Sequence, residues 1–243
     1  MRIIPVIDLL EGQAVHAVKG NRADYRPLKS VLCETAEPLA VAAAFRDRLG
    51  LTELYIADLN AIQSRGQTPH RDLIASLARG KNLSVLLDAG VSEPEDARAW
   101  LDLGIRKAIF GAETVHRLRA LQEIPEKVNP DQLVFSLDMR AGRTLSRSPD
   151  LASLSPIQVL GLLRSAGWHE VILLDLCRVG SEGGVDHALA VEARAKYPEL
   201  SILVGGGIAN PEQLAQLESV GISGVLLATA LHRGTIAARH FPH

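Results

Sequence analysis

Part of this chain is written twice. Residues 49–66, LGLTELYIADLNAIQSRG, align without a gap on residues 166–183, AGWHEVILLDLCRVGSEG, at an offset of 117 residues. Gly50 falls on Gly167, Glu53 on Glu170, Asp58 on Asp175 and Gly66 on Gly183. The register continues through LLDAGVSEPEDARAWLDLGI (86–105) and LVGGGIANPEQLAQLESVGI (203–222), pairing Gly90 with Gly207, Pro94 with Pro211 and Gly104 with Gly221. Hydrophobic patterning alone does not produce agreement at Gly, Pro and Asp, because backbone geometry or chemistry sets those residues. The opening run RIIPVIDLLEG also has a partner in LVFSLDMRAG, with Asp8 on Asp138 and Gly12 on Gly142. That offset is 130, so the first copy carries 13 extra residues within QAVHAVKGNRADYRPLKS, between its first strand and first helix.

Short β-branched runs alternate with segments of helical period, the pattern of βαβ units and a parallel sheet. The reading places strands near residues 2–8, 53–58, 84–88, 107–110, 132–138, 170–175, 201–204 and 223–227. Helices fall near 38–49, 70–80, 94–103, 114–123, 156–166, 186–197, 211–219 and 230–239. Eight of each in alternation, over 243 residues, predict an α/β fold: a (β/α)8 barrel in one domain, 1–243, built from half-barrels at about 1–123 and 124–243. Aromatic residues make up only 4%, so Leu, Val, Ile and Ala must fill the core.

Composition narrows the partners. A formal net charge of −2 with no long basic run argues against nucleic acid. No run reaches the roughly 18 apolar residues of a membrane span. The apolar stretch Ile3 to Ile7 is too short for a secretory signal, and two cysteines make no disulfide framework, so a cytoplasmic protein is expected. The eight histidines show no HxxxH or HxH spacing, so no metal is expected, and neither is a cofactor. The expected partner is a small phosphorylated ligand; oligomeric state is not readable.

In a parallel barrel the carboxyl ends of the strands share one face, where active sites lie. Asp8 and Asp138 end the first and fifth strands and should face each other across it. Two carboxylates flanking one substrate suit proton abstraction and donation; the alternative is that each caps a loop. Asp58 and Asp175 end the second and sixth strands, and either touch a ligand or tie neighbouring loops as a supporting rim. Gly205, Gly206 and Gly207 run into Asn210-Pro211, an N-cap and first-turn proline, and glycine lets a backbone approach a phosphate closely. Ala228 and Thr229, after the eighth strand, would form the other wall. Gly90 and Gly111 would form a half-related second phosphate site, although Asp88 there repels a phosphate unless it points away. Cys177, beside Arg178, shows no His-based activation of a thiolate. His16 lies in the long first loop near the proposed site.

The motifs RIIPVIDLLEG, VKG, DY, LYIADLNA, FSLDMRAGR, VGGGI and GVLLATAL resemble, over nearly the whole chain, the histidine-biosynthesis isomerases that act on phosphoribosylformimino-aminoimidazole carboxamide ribotide. The resemblance implies a metal-free Amadori rearrangement of a ribotide bearing a phosphate at each end, with Asp8 as general base and Asp138 as general acid. Four departures stand out. DAGVS replaces the usual GGGIR after strand three. DLCRVGS keeps Asp175, Arg178 and Ser181 of DxxRDGT but has Val179 for the aspartate. The Gly-Trp of the fifth loop is missing, and His16 stands where arginine is common. The first loop is also similar to relatives that accompany genes of tetrahydromethanopterin- or methanofuran-linked one-carbon metabolism. That implies, as alternatives, a paralogue acting on another phosphorylated intermediate, or a phosphate-ligand binder without catalysis.

Overall fold

The computed structural model describes residues 1–17, 21, 24–64, 66–80 and 82–241. The Val18-Lys19-Gly20 motif of the first loop lies outside the described residues. Eight parallel strands close into a barrel: β1 (Arg2–Leu10), β2 (Glu53–Asp58), β3 (Ser84–Asp88), β4 (Lys107–Gly111), β5 (Leu133–Arg140), β6 (Glu170–Asp175), β7 (Ser201–Gly205) and β8 (Gly224–Leu227). Each pairs with the next in chain order, and β8 pairs with β1 through Arg2 opposite Gly224 and Pro5 opposite Leu227. Helices connect the strands, which is the predicted (β/α)8 architecture.

Side-chain alternation explains the apolar runs. Along β1, Ile3, Ile7 and Leu9 face the helices, while Ile4 and Val6 belong to a separate cluster inside the barrel with Tyr55, Leu86, Ile109, Val134, Ile172, Leu203 and Leu226. Strands covered on both faces read as continuous apolar runs. The opposite end of the barrel is closed by charge: Glu170 accepts from Lys107 Nζ at 2.6 Å and from Arg2, which also donates to Glu53 at 2.9 Å.

The repeat extends to the turns. β1 and β5 both run past the barrel into antiparallel hairpins, with Gln13–His16 and Arg143–Thr144. Their two-residue turns, Glu11-Gly12 and Ala141-Gly142, have φ of 49° and 77°, and of 52° and 75°. Positive φ at both positions is the type I′ geometry that matches strand twist. The reading from periodicity does not include these hairpins or the short helices Leu59–Ser64 and Pro149–Ala152.

Two helices differ from expectation. The one expected at 114–123 is Ala120–Lys127. The Thr114 hydroxyl and amide both bond the Gly111 carbonyl, folding the end of β4 into a turn, although Val115, Leu118 and Leu121 keep helical spacing. The last helix stops at Arg233 because Gly234 adopts φ 74°, and a separate 3-10 turn follows at Ala238–His240.

Candidate active site

The alternation that buries Ile4 and Val6 inside the barrel carries Asp8 to the same side at the strand's carboxyl end. On β5 the inward set is Val134, Ser136 and Asp138. The two strands hold their carboxylates at matching registers: Asp8 lies beside Ala57 on β2, and Asp138 beside Leu174 on β6. Both line one cavity of about 400 Å³ at the mouth. Asp138 is buried, its Oδ1 accepting from the Ser136 hydroxyl at 2.9 Å. Gly111 lies against it, a Cβ there falling at ordinary contact distance, 3.5 Å from Asp138 Oδ2.

A third carboxylate, Asp88 on β3, also lines the cavity. Its Oδ1 accepts from the Gly90 amide at 3.2 Å and its Oδ2 from the Tyr55 hydroxyl at 3.4 Å. Burial first, and then the fields of Asp88, Asp138 and Asp8, hold the Tyr55 phenol well above its ordinary pKa of 10. It therefore stays a neutral donor among three acids. Glu113, following β4, adds a fourth carboxylate to this side.

The other side of the cavity is of a different kind. Ser181, Gly206, Gly207, Ile208, Ala228, Thr229, His16 and His232 form it, with Val179 beside them and no carboxylate among the described residues of that arc. Gly206 and Gly207 have φ of 95° and 83°, and a Cβ on either would fall about 3 Å from the Asp175 or Arg178 carbonyl, so only glycine fits this turn. Gly205 instead fills the space between Leu174 and Leu226 and does not line the cavity. The helix Pro211–Val220 starts as expected, with Asn210 Oδ1 accepting from the Gln213 amide at 3.0 Å. His232 is buried, hydrogen-bonded to Ser30 at 2.9 Å, and burial together with the nearby His16 lowers its pKa to about 4. His16, half-buried, is also lowered, by burial and then by Arg233.

The remaining candidates sit behind this surface. Asp58 and Asp175 occupy outward positions on their strands and do not line the cavity. Asp58 is fully buried, held by the Thr68 hydroxyl, His70 Nδ1 at 3.2 Å and the Ala61 amide at 3.1 Å. Asp175 Oδ1 accepts from the Ala141 and Cys177 amides at 3.3 and 3.0 Å. Arg178 donates to the Gly183 and Gly184 carbonyls at 3.2 and 2.9 Å, bracing the loop after β6. Gly90 and Gly111 are not cavity-lining residues, whereas Asp88 and Glu113 on the same two loops are. Asp88 therefore does not point away, the condition under which that end could take a phosphate. Nothing in the sequence alone marks Tyr55, Glu113, Arg140 or His232 as lining the cavity; strand alternation places Tyr55 inward, but nothing separates it from an ordinary core tyrosine.

A family model described as "Histidine biosynthesis protein" matches residues 2–237. An uncharacterized protein of Methanocaldococcus jannaschii is 34% identical over 238 residues, spanning 97% of this chain and 95% of that protein. The 1-(5-phosphoribosyl)-5-((5-phosphoribosylamino)methylideneamino)imidazole-4-carboxamide isomerase of Thermus thermophilus is 30% identical over 237 residues, spanning 97% and 96%. The protein of that name from Chloroflexus aggregans is 26% identical over 238 residues, spanning 97% and 94%.

Proposed function

The chain belongs to the histidine biosynthesis protein family, and we propose that it is a sugar-phosphate isomerase performing an Amadori-type conversion of a phosphorylated aminoaldose into an aminoketose. One observation carries this reading: the repeat-related Asp8 and Asp138 enter the same cavity from opposite strands of the barrel. The named relatives are isomerases of a phosphoribosylamino compound, which supports the same reaction type here.

The chemistry needs two proton transfers on one carbon skeleton. A carboxylic acid at Asp138 donates to the furanose ring oxygen as the C1–O bond breaks, giving an iminium between C1 and the amine. The carboxylate of Asp8 then removes the proton from C2, and the electron pair moves to form an enaminol. The Asp138 carboxylate takes back the O–H proton and the protonated Asp8 delivers its proton to C1, leaving the C2 ketone and restoring both acids. No redox cofactor is required, since C1 is reduced as C2 is oxidised within one molecule. Ser136 steadies Asp138, while the Gly206, Gly207 and Thr229 wall suits the phosphate that fixes the sugar's register.

The test is purified protein with the ribotide of the named relatives and with a panel of phosphorylated N-glycosylamines, following product by chromatography and absorbance. Isomerisation of any member, abolished by Asp8→Asn and by Asp138→Asn, supports the proposal. Isomerisation that survives both substitutions refutes the pair, and inertness of the folded protein toward the whole panel refutes the reaction class.

A further inference from the structure

The wall of Gly206, Gly207 and Thr229 is where the isomerase reading seats a phosphate, yet its described lining residues include no lysine or arginine. The one such residue in the described cavity lining, Arg140, stands on β5. A dianion held by amides and hydroxyls alone forgoes the charge-assisted contacts that make phosphate binding strong. Two arginines of the β6–β8 side lie just outside the wall. Arg178 is committed: its guanidinium donates to the Gly183 and Gly184 carbonyls and lies 3.7 Å from Asp175. Arg233 is not.

Three observations put the Arg233 guanidinium at the rim of the wall. Arg233 ends the helix Thr229–Arg233, one turn after Thr229, and so projects from the same face as that cavity-lining residue. Its Nη1 donates to Glu182 Oε1 at 2.7 Å, and Glu182 follows Ser181, another residue of the wall. Its charge also reaches His16, a lining residue on the returning strand of the β1 hairpin, whose pKa is lowered first by burial and then by Arg233. The tether to Glu182 is weak. The two side chains are 53% and 72% exposed, and an exposed ion pair contributes little. Among the described residues Glu182 is the one hydrogen-bond partner of the Arg233 side chain, which leaves most of its five N–H donors for a ligand.

We propose that Arg233 binds the substrate phosphate: its guanidinium turns from the exposed Glu182 carboxylate to the anion seated against Gly206, Gly207 and Thr229. This rests on, and deepens, the isomerase reading, because it names the cation that lets the same cavity choose a phosphorylated sugar over a neutral one. A phosphate offers the planar fork of an arginine two oxygens at once, whereas Glu182 competes from open solvent, where ion pairing is screened. The repeat does not supply this contact twice. The position equivalent to Arg233 at the offset of 117 is His116, which does not line the cavity, so the grip is confined to the second half.

Ribose 5-phosphate and inorganic phosphate can each be titrated calorimetrically into the intact protein and its variants. Arg233→Gln should weaken both by about fivefold or more, because the lost contact is with the phosphate alone. Arg233→Lys, which keeps the charge without the fork, should fall between that variant and the wild type. Glu182→Gln removes the competitor and should tighten both probes by about twofold to fivefold. That opposite sign separates a ligand contact from a brace, since breaking a structural pair acts in the same direction from either side. A smaller loss in Arg233→Gln, weaker binding in Glu182→Gln, or no binding of either probe to the wild type would overturn the inference. Binding is read without turnover. An Arg233-dependent affinity in a protein that isomerises nothing sinks the reaction class alone, whereas isomerisation whose KM is unmoved by Arg233→Gln sinks this inference and leaves the isomerase intact.

Discussion

Asp58 and Asp175 stand at the same point of β2 and β6, 117 residues apart, and do related work with different partners. In the second half Asp175 itself accepts the amide of Ala141, the first residue of the β5 hairpin turn. In the first half that bond goes to Asn60 instead, which accepts the amide of Glu11 at 2.9 Å, while Asp58 turns to His70, whose Nε2 accepts the Gly12 amide at 2.9 Å. The hairpin geometry is preserved although the bonds that secure it are rebuilt. At the mouth the reverse holds: equivalent backbones present Asp88 in one half and a glycine in the other. Duplication has kept the positions of strands and turns and released the chemistry of the rim.

The largest expected effects test whether the inward carboxylates act as a matched pair. Asp8→Asn and Asp138→Asn should each lower kcat by about 10²–10⁴-fold, the range of general acid and base catalysis, with substrate binding retained. A silent variant on either strand would break the functional equivalence of the halves at their most similar point.

The barrel's opposite end offers a sharper contrast. Glu53 and Glu170 are equivalent, yet Glu170 is the more deeply buried, at 3% exposure, and is held by both Lys107 and Arg2. Burial alone would raise its pKa, but the Lys107 hydrogen bond and the Arg2 charge outweigh burial and lower it. Glu170→Gln should therefore cost about 3 kcal/mol in urea denaturation near neutral pH, against about 1 kcal/mol or less for Glu53→Gln. A depressed carboxyl pKa stabilises above its unfolded value and loses that contribution as pH falls, so the Glu170 difference should shrink in acid.

His232 occupies the position that Val115 holds in the other half. Its imidazole, lowered to about 4, binds protons less readily than in the unfolded chain. The fold should lose stability as pH falls from about 6.5 toward 4, by roughly 3 kcal/mol in all. His232→Gln, which keeps a polar partner for Ser30, should flatten that part of the pH profile; an unchanged slope would assign the acid sensitivity elsewhere. The smallest effect is at the hairpins. Ala141 holds φ 52° without being glycine, so Ala141→Gly should stabilise by about 0.5 kcal/mol, the αL strain relieved less the added freedom of the unfolded chain.

The strands were legible because β-branched runs and their punctuation repeat at a fixed offset, and Asp8 and Asp138 were legible because alternation and the repeat point to the same face. Asp88 was visible as a residue that disagrees with a phosphate, but its direction depended on Tyr55, which is not its sequence neighbour. His232 was hidden for a similar reason: its partner Ser30 comes from the far end of the chain. The helix at 120–127 was misplaced because apolar spacing continues through a turn that Thr114 enforces locally.

Arg2 crosses the barrel floor to Glu53 and to Glu170, 168 residues away in sequence. During synthesis this guanidinium leaves the ribosome long before its deeper acid exists, and β1 waits longer still for the β8 edge it will adjoin. A nascent chain carrying only the front half must therefore keep an unclosed sheet edge and an Arg2 that reaches Glu53 but not Glu170, and late closure makes the junction of β8 with β1 the point where folding is most exposed to misassembly.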